Sequence, residues 1–263
     1  YYLMGQLMAF SCSQRLLIEE KLVFYLGVTW ASGYVILGRS IPKNNNNKST
    51  PMSTPTSTPT ARQPLAGLEV IELSNIITCS LAAMTMAAQG ATVIKVEPPQ
   101  RGDQMRPLGT QKNGVSGFFH NCNRGKRSLA IDLKSEAGVE AVKKLAARAD
   151  VLLHNYRPGV MDRIGLGSDV LRKINPKLVY VAVSGFGKQG PMADKPAFDH
   201  VIQGMSGLTN LQSPDDNGFD HIRTFICDKV TSYTVCQAAT AALVARATTG
   251  EGQHIDISML HAC

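Results

Sequence analysis

Asp199 is the residue of this chain whose type and setting best suit covalent chemistry. It follows Phe198, precedes the apolar stretch VIQGMSGL, and comes shortly after a glycine-rich turn, Gly185, Gly187 and Gly190. A carboxylate is a weak nucleophile in water and gains from desolvation and positioning. Glycines beside it allow close approach of a substrate or supply backbone N–H donors. The same residue type also caps helices, and on pattern alone Asp199 reads more readily as a cap of the helix that follows it than as a nucleophile. His200 adjoins it, but consecutive residues in a first helical turn point to different faces. His120, His154 and His221 are isolated, and an isolated histidine is more often structural than catalytic.

A second set of residues suits an anion. Arg106, Arg124, Lys126, Arg127, Lys134, Arg157 and Arg163 fall near the ends of apolar runs and fit a ligand with several phosphates. Arg124 to Arg127, taken alone, read as solvated loop charges. The excess of 27 basic over 20 acidic residues, net +7, agrees with an anionic partner. Without aromatic interleaving the basic residues do not resemble an RNA-binding sheet, so no nucleic-acid partner is expected. The chain has no G-x-x-x-x-G-K-[ST] and no G-x-S-x-G, and its G-x-G-x-x-G, Gly185 to Gly190, is short and runs into Pro191 rather than opening a helix. The six cysteines form no C-x-x-C pair and no cluster with histidine at zinc spacing, and Asp103, Asp215, Asp216 and Asp220 do not make an EF-hand loop. Free thiols in a reducing compartment and no bound metal follow.

The elements that must position these residues alternate. LEVIEL, ATVIKVE, SLAIDL, DVLLHN and LVYVAVSGF read as strands. LAAMTMAAQG, closed by Gly90, and SEAGVEAVKKLAARA, with Ser135 as N-cap, read as helices. A long Ala-rich helix is expected from Thr231 to Thr248, and HIDISML begins another strand. Strands alternating with helices predict an α/β fold with a mainly parallel, Rossmann-like sheet. Ligands of such sheets bind at the carboxyl ends of the strands, which gathers Glu97 to Arg106, Lys134, Asn155 to Arg157, and Ser184 to Gly187 on one edge.

Composition divides the chain into three. Residues 1–63 hold an apolar extension and an Asn/Ser/Thr/Pro tract with almost nothing to bury, read as a disordered linker. Residues 64–225 make the large α/β domain, and 226–263 a long helix and the start of a second, smaller domain, with the sequence cut short inside an apolar element. Leu22 to Gly38 is near the lower length limit of a membrane span, about 17 residues, but is diluted by polar positions and glycine. Met52 opens a plausible natural start, which makes 1–51 an upstream extension; a signal anchor is the rival reading. A cytoplasmic protein without a membrane partner is expected.

From Pro64 to Leu260 the chain resembles the family III CoA-transferases, also called the CaiB/BaiF family. The segments that carry the resemblance are PLAGLEVIELS, GATVIKVEPP with RGDQMR, NRGKRSLAIDLK, DVLLHNYRPGVMDRIGLG, INPKLVYVAVSGFGKQGP, AFDHVIQGMSG and ATTGEGQHIDISML. The resemblance implies that Asp199 is the nucleophile of a ping-pong transfer of CoA from a donor acyl-CoA to a carboxylic acid. The route runs through an aspartyl anhydride and an aspartyl-CoA thioester, with no metal. It implies coenzyme A contacts at Ile77, Thr78, Arg106, Ile131, Lys134, Asn155, Tyr156, Arg157, Arg163, Ser184, Gly185, Phe186 and Gly187. It also implies an interlocked homodimer of two-domain chains. Ile77 stands where some members carry glutamine, and Pro98 where some carry arginine, with Arg106 as the compensating cation. Two rivals remain: an α-methylacyl-CoA racemase, which typically has Gly-His-Asp where this chain has Ala-Phe-Asp, and a non-catalytic CoA-binding fragment.

Overall fold

The computed structural model describes residues 63–213 and 218–263, together with a short antiparallel pairing of Trp30–Ala31 with Tyr34–Val35. The chain divides into two compact units, Tyr1–Thr58 and Pro59–Cys263. The expected start at Met52, the disordered tract and most of the apolar run Leu22 to Gly38 lie outside the described residues. No described helix is long and apolar enough to cross a membrane.

The second unit is built on a six-stranded sheet. Its strands are β1 (Glu69–Leu73), β2 (Thr92–Glu97), β5 (Arg127–Ala130), β6 (Val151–His154), β7 (Val179–Ser184) and β8 (His254–Ser258). They run in the order β8-β7-β6-β1-β2-β5, and every pairing is parallel. The winding goes outward from β1 through β2 to β5, then restarts at β6 on the other side of β1. This is the doubly wound order, with its switch point between β1 and β6.

The central strands are apolar on both faces, as a sheet covered on both sides requires. Alternation along each strand sends neighbours to opposite cores. Val70, Leu153, Val179 and Val181 pack on one face with the helices α1 (Thr78–Ala88) and α8 (Ile226–Thr249). Ile71, Leu152 and Tyr180 pack on the other with α3 (Glu136–Ala146), α4 (Val160–Arg163) and α5 (Ser168–Ile174). α1 is small and apolar all round because it is enclosed between sheet and α8, burying Cys79, Ala82, Ala83 and Met86. α3 is amphipathic and capped by Ser135, whose hydroxyl accepts from Gly138 N, as its sequence predicts.

One expectation changes: the long helix begins at Ile226, five residues before Thr231, and so carries Asp228 in its first turn. Residues 226–263, expected as a long helix and the start of a smaller domain, join the sheet of the strands before them among the described residues. α8 packs along α1, and β8 pairs with β7 in register from His254–Tyr180 to Ser258–Ser184. HIDISML is the sixth strand of the same sheet, because β7, buried on both faces, still offers an edge to be paired. Arg246 fixes the far end of α8 to the sheet through Asp150 at 2.8 Å and the Lys177 carbonyl at 3.0 Å.

A small hairpin, β3 (Gln111–Lys112) and β4 (Val115–Ser116), turns at Asn113 and Gly114, both with positive φ. Asn-Gly is a strong two-residue hairpin signal. The hairpin leads into α2 (Gly117–Asn123), capped by the Ser116 hydroxyl.

Candidate active site

The loop after β1 is held in place from both sides. Asn155, just past β6, accepts from Asn75 N at 3.0 Å and donates to Asn75 O at 2.7 Å and to Thr78 Oγ1 at 3.1 Å. Asp103 accepts from Ile76 N at 3.1 Å and Met105 N at 2.8 Å. Between these clamps Ile76 has φ +65°, a left-handed conformation that a β-branched residue adopts only under constraint.

Beneath the loop lies a buried ionic cluster. Lys95 Nζ contacts Glu72 at 2.5 Å and Asp103 at 2.7 Å, and Lys126 Nζ contacts the other Glu72 oxygen at 2.6 Å. Ser74 and Ser80 donate to Glu72 at 2.7 Å each. Burial alone would raise the Glu72 carboxyl; the ammonium groups of Lys126 and Lys95 override it and hold it down at about 2. Lys126, read from sequence with the solvated charges of Arg124 to Arg127, has a side chain only 2% exposed. It is a structural cation: with Lys95 it faces the two buried acidic groups Glu72 and Asp103.

At this edge a cavity of about 280 Å³ opens. From the sequence-derived set it is lined by Ile77, Thr78, Asn155, Tyr156, Arg157, Ser184 and Gly185. Its other walls include Lys195, Phe198, Asp228 and Met259. The remaining members of the set lie elsewhere. Arg106 is committed to Glu97 through two hydrogen bonds of 2.9 and 2.7 Å, stacks on Phe119, and lines a separate cavity with Arg101. Burial would raise the Glu97 carboxyl, but hydrogen bonds from Arg106 and Ser128 hold it at about 2. Ile131 packs against the α3 core, Lys134 is exposed, and Arg163 is exposed at the end of α4. Phe186 belongs to the α1–α8 core, and Gly187, with φ +88°, spends its N–H on the Ser184 hydroxyl at 3.0 Å.

Asp199 is the first residue of α6 (Asp199–Met205) and is 2% exposed. It does not cap its own helix: Phe198 occupies that position and no side chain closes it. Its Oδ1 accepts from Gln203 Nε2 at 2.5 Å, one helical turn on, and its Oδ2 accepts from Asp228 N at 2.9 Å. Asp199 therefore caps a different helix, the 24-residue α8, from outside. The positive end of that helix and two N–H donors offset the cost of burying a carboxylate. Gln203 is fixed in turn by Ile222 N at 2.9 Å. Asp199 does not itself line the cavity; Phe198 and Asp228, on either side of it, do.

The turn after β7 closes against the segment leading to α6. A Cβ on Gly185 would collide with the Ala197 side chain, so only glycine lets these two strands of loop touch. The Gly185 carbonyl accepts from Ser258 Oγ and Leu260 N. No histidine among the described residues lines the cavity: His200 is exposed and stacks edge-on against His221, while burial and the neighbouring His254 and Lys188 push the His154 imidazole down to about 3. Gln203, Asp228 and Lys195 escaped the sequence reading. For Asp228 the missing signal was the true start of α8; for Gln203 it was the i, i+4 spacing from Asp199.

The fold and site together define a doubly wound α/β protein with a ligand cavity at its switch point and a hydrogen-bonded carboxylate behind the cavity wall. Comparison with known proteins narrows this. The family model for CoA-transferase family III matches residues 65–263, and the chain belongs to that family. It is 37% identical over 206 residues to the succinate–glutarate CoA-transferase of Agrobacterium fabrum, covering 76% of this chain and 52% of that one. It is 39% identical over 197 residues to the acetyl-CoA:oxalate CoA-transferase of Acetobacter aceti, covering 74% and 51%. The crystal structure of a CaiB/BaiF family protein from Brucella suis superposes with a TM-score of 0.73 at 39% identity, covering 76% of this chain and 54% of that one. The chain thus spans about half the length of the relatives it matches.

Proposed function

We propose that the protein moves CoA from a donor acyl-CoA to a carboxylic acid acceptor, with Asp199 as the covalent nucleophile. The observation that carries this reading is the setting of Asp199: a buried carboxylate fixed by Gln203 and Asp228 N, directly behind a cavity whose walls carry Arg157 and Lys195. In the first half-reaction an Asp199 oxygen attacks the thioester carbon and expels CoA thiolate, leaving a mixed anhydride. The thiolate attacks the aspartyl carbonyl, the donor acid departs as carboxylate, and an aspartyl-CoA thioester remains. The acceptor carboxylate attacks that thioester, thiolate leaves, and its return to the acceptor carbonyl of the new anhydride frees Asp199. Thioester and anhydride are close in energy, so the cycle runs without ATP.

In this reading Ile77, Thr78, Asn155, Tyr156, Ser184 and Gly185 form the wall along which coenzyme A lies. Arg157 and Lys195 meet its negative groups, and the exposed Lys134 and Arg163 are further cations for its phosphates on this reading. The relatives named as succinate–glutarate and acetyl-CoA:oxalate CoA-transferases support small dicarboxylic acids as the substrates to try first. The reading extends to a cytoplasmic, interlocked homodimer of the full-length protein.

Racemisation at the carbon next to the thioester is the rival. It needs an acid/base pair, and Asp199 with Asp228 is the pair this site offers. Incubation with acyl-CoA in deuterated buffer, followed by hydroxylamine trapping and mass spectrometry of the Asp199 peptide, separates the two. A hydroxamate on Asp199 supports transfer. Deuterium at the α-carbon with no adduct overturns it in favour of racemisation, and binding of acyl-CoA with neither leaves a binding fragment.

A further inference from the structure

Asp228 lines the cavity, is 8% exposed, and its carboxyl makes no hydrogen bond or ion pair among the described residues. Its backbone N–H, by contrast, holds the Asp199 oxygen at 2.9 Å. One residue thus fixes the nucleophile with its main chain and presents a free carboxyl to the space in front of it. A second anion there would repel both the developing oxyanion of the thioester and an incoming carboxylate. A neutral carboxyl would donate a hydrogen bond to either.

Resting on the transfer reading above, we propose that Asp228 is a catalytic residue that enters the cycle as a carboxylic acid and donates a hydrogen bond to the acyl oxygen or the acceptor carboxylate. The surroundings agree. α1 packs against α8 with Cys79 as its one titratable group, and α6 brings Asp199 and exposed His200. α9 (Met259–Ala262) and the residue after it bring His261 and Cys263, β8 brings His254 and Asp256, β7 brings Tyr180, and Cys227 adjoins on α8 itself. Across the cavity stand Arg157 and Lys195. Burial, and behind it the negative charge of Asp199, push the Asp228 carboxyl up to about 7. A buried carboxyl kept neutral so that it can donate a hydrogen bond is a recurrent catalytic device.

The test uses the full chain, labelled with 13C at aspartate Cγ. The resonance lost in Asp228→Asn should titrate near neutrality and shift when a thioether analogue of an acyl-CoA is added. In wild type kcat should fall as pH rises through about 7. Asp228→Asn, which keeps a neutral donor, should lose that pH limb and fall less in kcat than Asp228→Ala. Asp228→Ala should lower kcat about 10²-fold, the usual effect of removing one donor to an oxyanion. A resonance that titrates in the ordinary carboxylate range, one indifferent to the analogue, or wild-type kcat in Asp228→Ala each overturns the proposal. Failure of the transfer reading shows separately, as absence of an Asp199 adduct while the Asp228 resonance still titrates near 7.

Discussion

The Asp228 N–H donates to Asp199 Oδ2 at 2.9 Å, joining the first turn of a 24-residue helix to the first residue of a short one. Two helix N-termini converge on one carboxylate. The α8 end stabilises an anion there, with one oxygen aimed by the Asp228 backbone and the other by the Gln203 amide. The Asp199→Asn variant keeps the shape and loses the nucleophile. It should fold with an unchanged far-ultraviolet spectrum and lose transfer by about 10³-fold or more, as nucleophile removals do. Persistence of transfer in that variant defeats the covalent reading.

Gln203 holds Asp199 Oδ1 while accepting from Ile222 N, so it ties the carboxylate to the loop before α8. Gln203→Ala leaves the buried Asp199 Oδ1 and the half-buried Ile222 N without their partner. A stability loss of about 1–3 kcal/mol is expected, measurable by urea denaturation. The mis-aimed carboxylate should lower kcat by about 10²-fold with KM for the donor little changed. An effect on KM alone would place Gln203 with the binding wall instead.

Much of this was legible in the residues. Short apolar runs with Gly/Pro punctuation mark β1, β2, β6 and β7, and the Ser135 cap is where its neighbours put it. Strand order is another matter: nothing in HIDISML says that it pairs with β7 rather than founding a new layer, since partner choice is set by packing of helices far away in sequence. The site divides the same way. Residues directly after strand ends, Ile77, Thr78, Asn155 to Arg157 and Ser184, reach the cavity because strand direction alone carries them there. Lys126 was misread because a loop cation looks alike whether solvated or buried; only its approach to Glu72, 54 residues away, separates the two.

The Glu72 cluster makes a pH prediction. Its folded-state carboxyl sits at about 2, below the ordinary 4.5, so the stability it lends is fully present above 4.5 and is lost as pH falls through about 2. Asp228 has the opposite sign. Raised from 3.8 to about 7, it lends stability below 3.8 that is lost as pH rises through about 7. These two groups should therefore give thermal melts a maximum at about pH 4, and Asp228→Asn should remove the decline between 3.8 and about 7. Glu72→Gln leaves Lys126 buried without an anion and Lys95 with Asp103 alone, and should cost about 3–5 kcal/mol at neutral pH.

Gly185 meets Ala197 with no room for a Cβ. Gly185→Ala forces the segment before α6 outward, at a cost of about 1–3 kcal/mol by overpacking. Because Ala197 sits two residues before Asp199, the displacement should also reduce transfer. Ala197→Gly in the same chain removes the methyl group that Gly185→Ala strikes. The double variant should recover both melting temperature and activity. Loss that persists in the double variant would mean that Gly185 is needed for a backbone N–H or a substrate approach of its own.

Asn155 and Arg157 are two residues apart on the same cavity wall, yet the structure divides their work. Asn155 spends its side chain on Asn75 and Thr78, three hydrogen bonds that hold the loop bearing the left-handed Ile76. Arg157 is exposed, lines the cavity, and its guanidinium has no hydrogen bond or ion pair among the described residues. Asn155→Ala should therefore lower stability by about 1–3 kcal/mol and release the loop, detectable as faster amide exchange at Asn75 to Thr78. Arg157→Ala should leave the melt unchanged within about 0.5 kcal/mol. It should raise KM for acyl-CoA about 10-fold, the loss of one charge-assisted contact, and weaken the dependence of KM on salt, since an exposed cation meeting a polyanion is screened. If instead Arg157→Ala unfolds the protein, or Asn155→Ala changes only KM, the division between frame and ligand contact drawn at this wall is reversed.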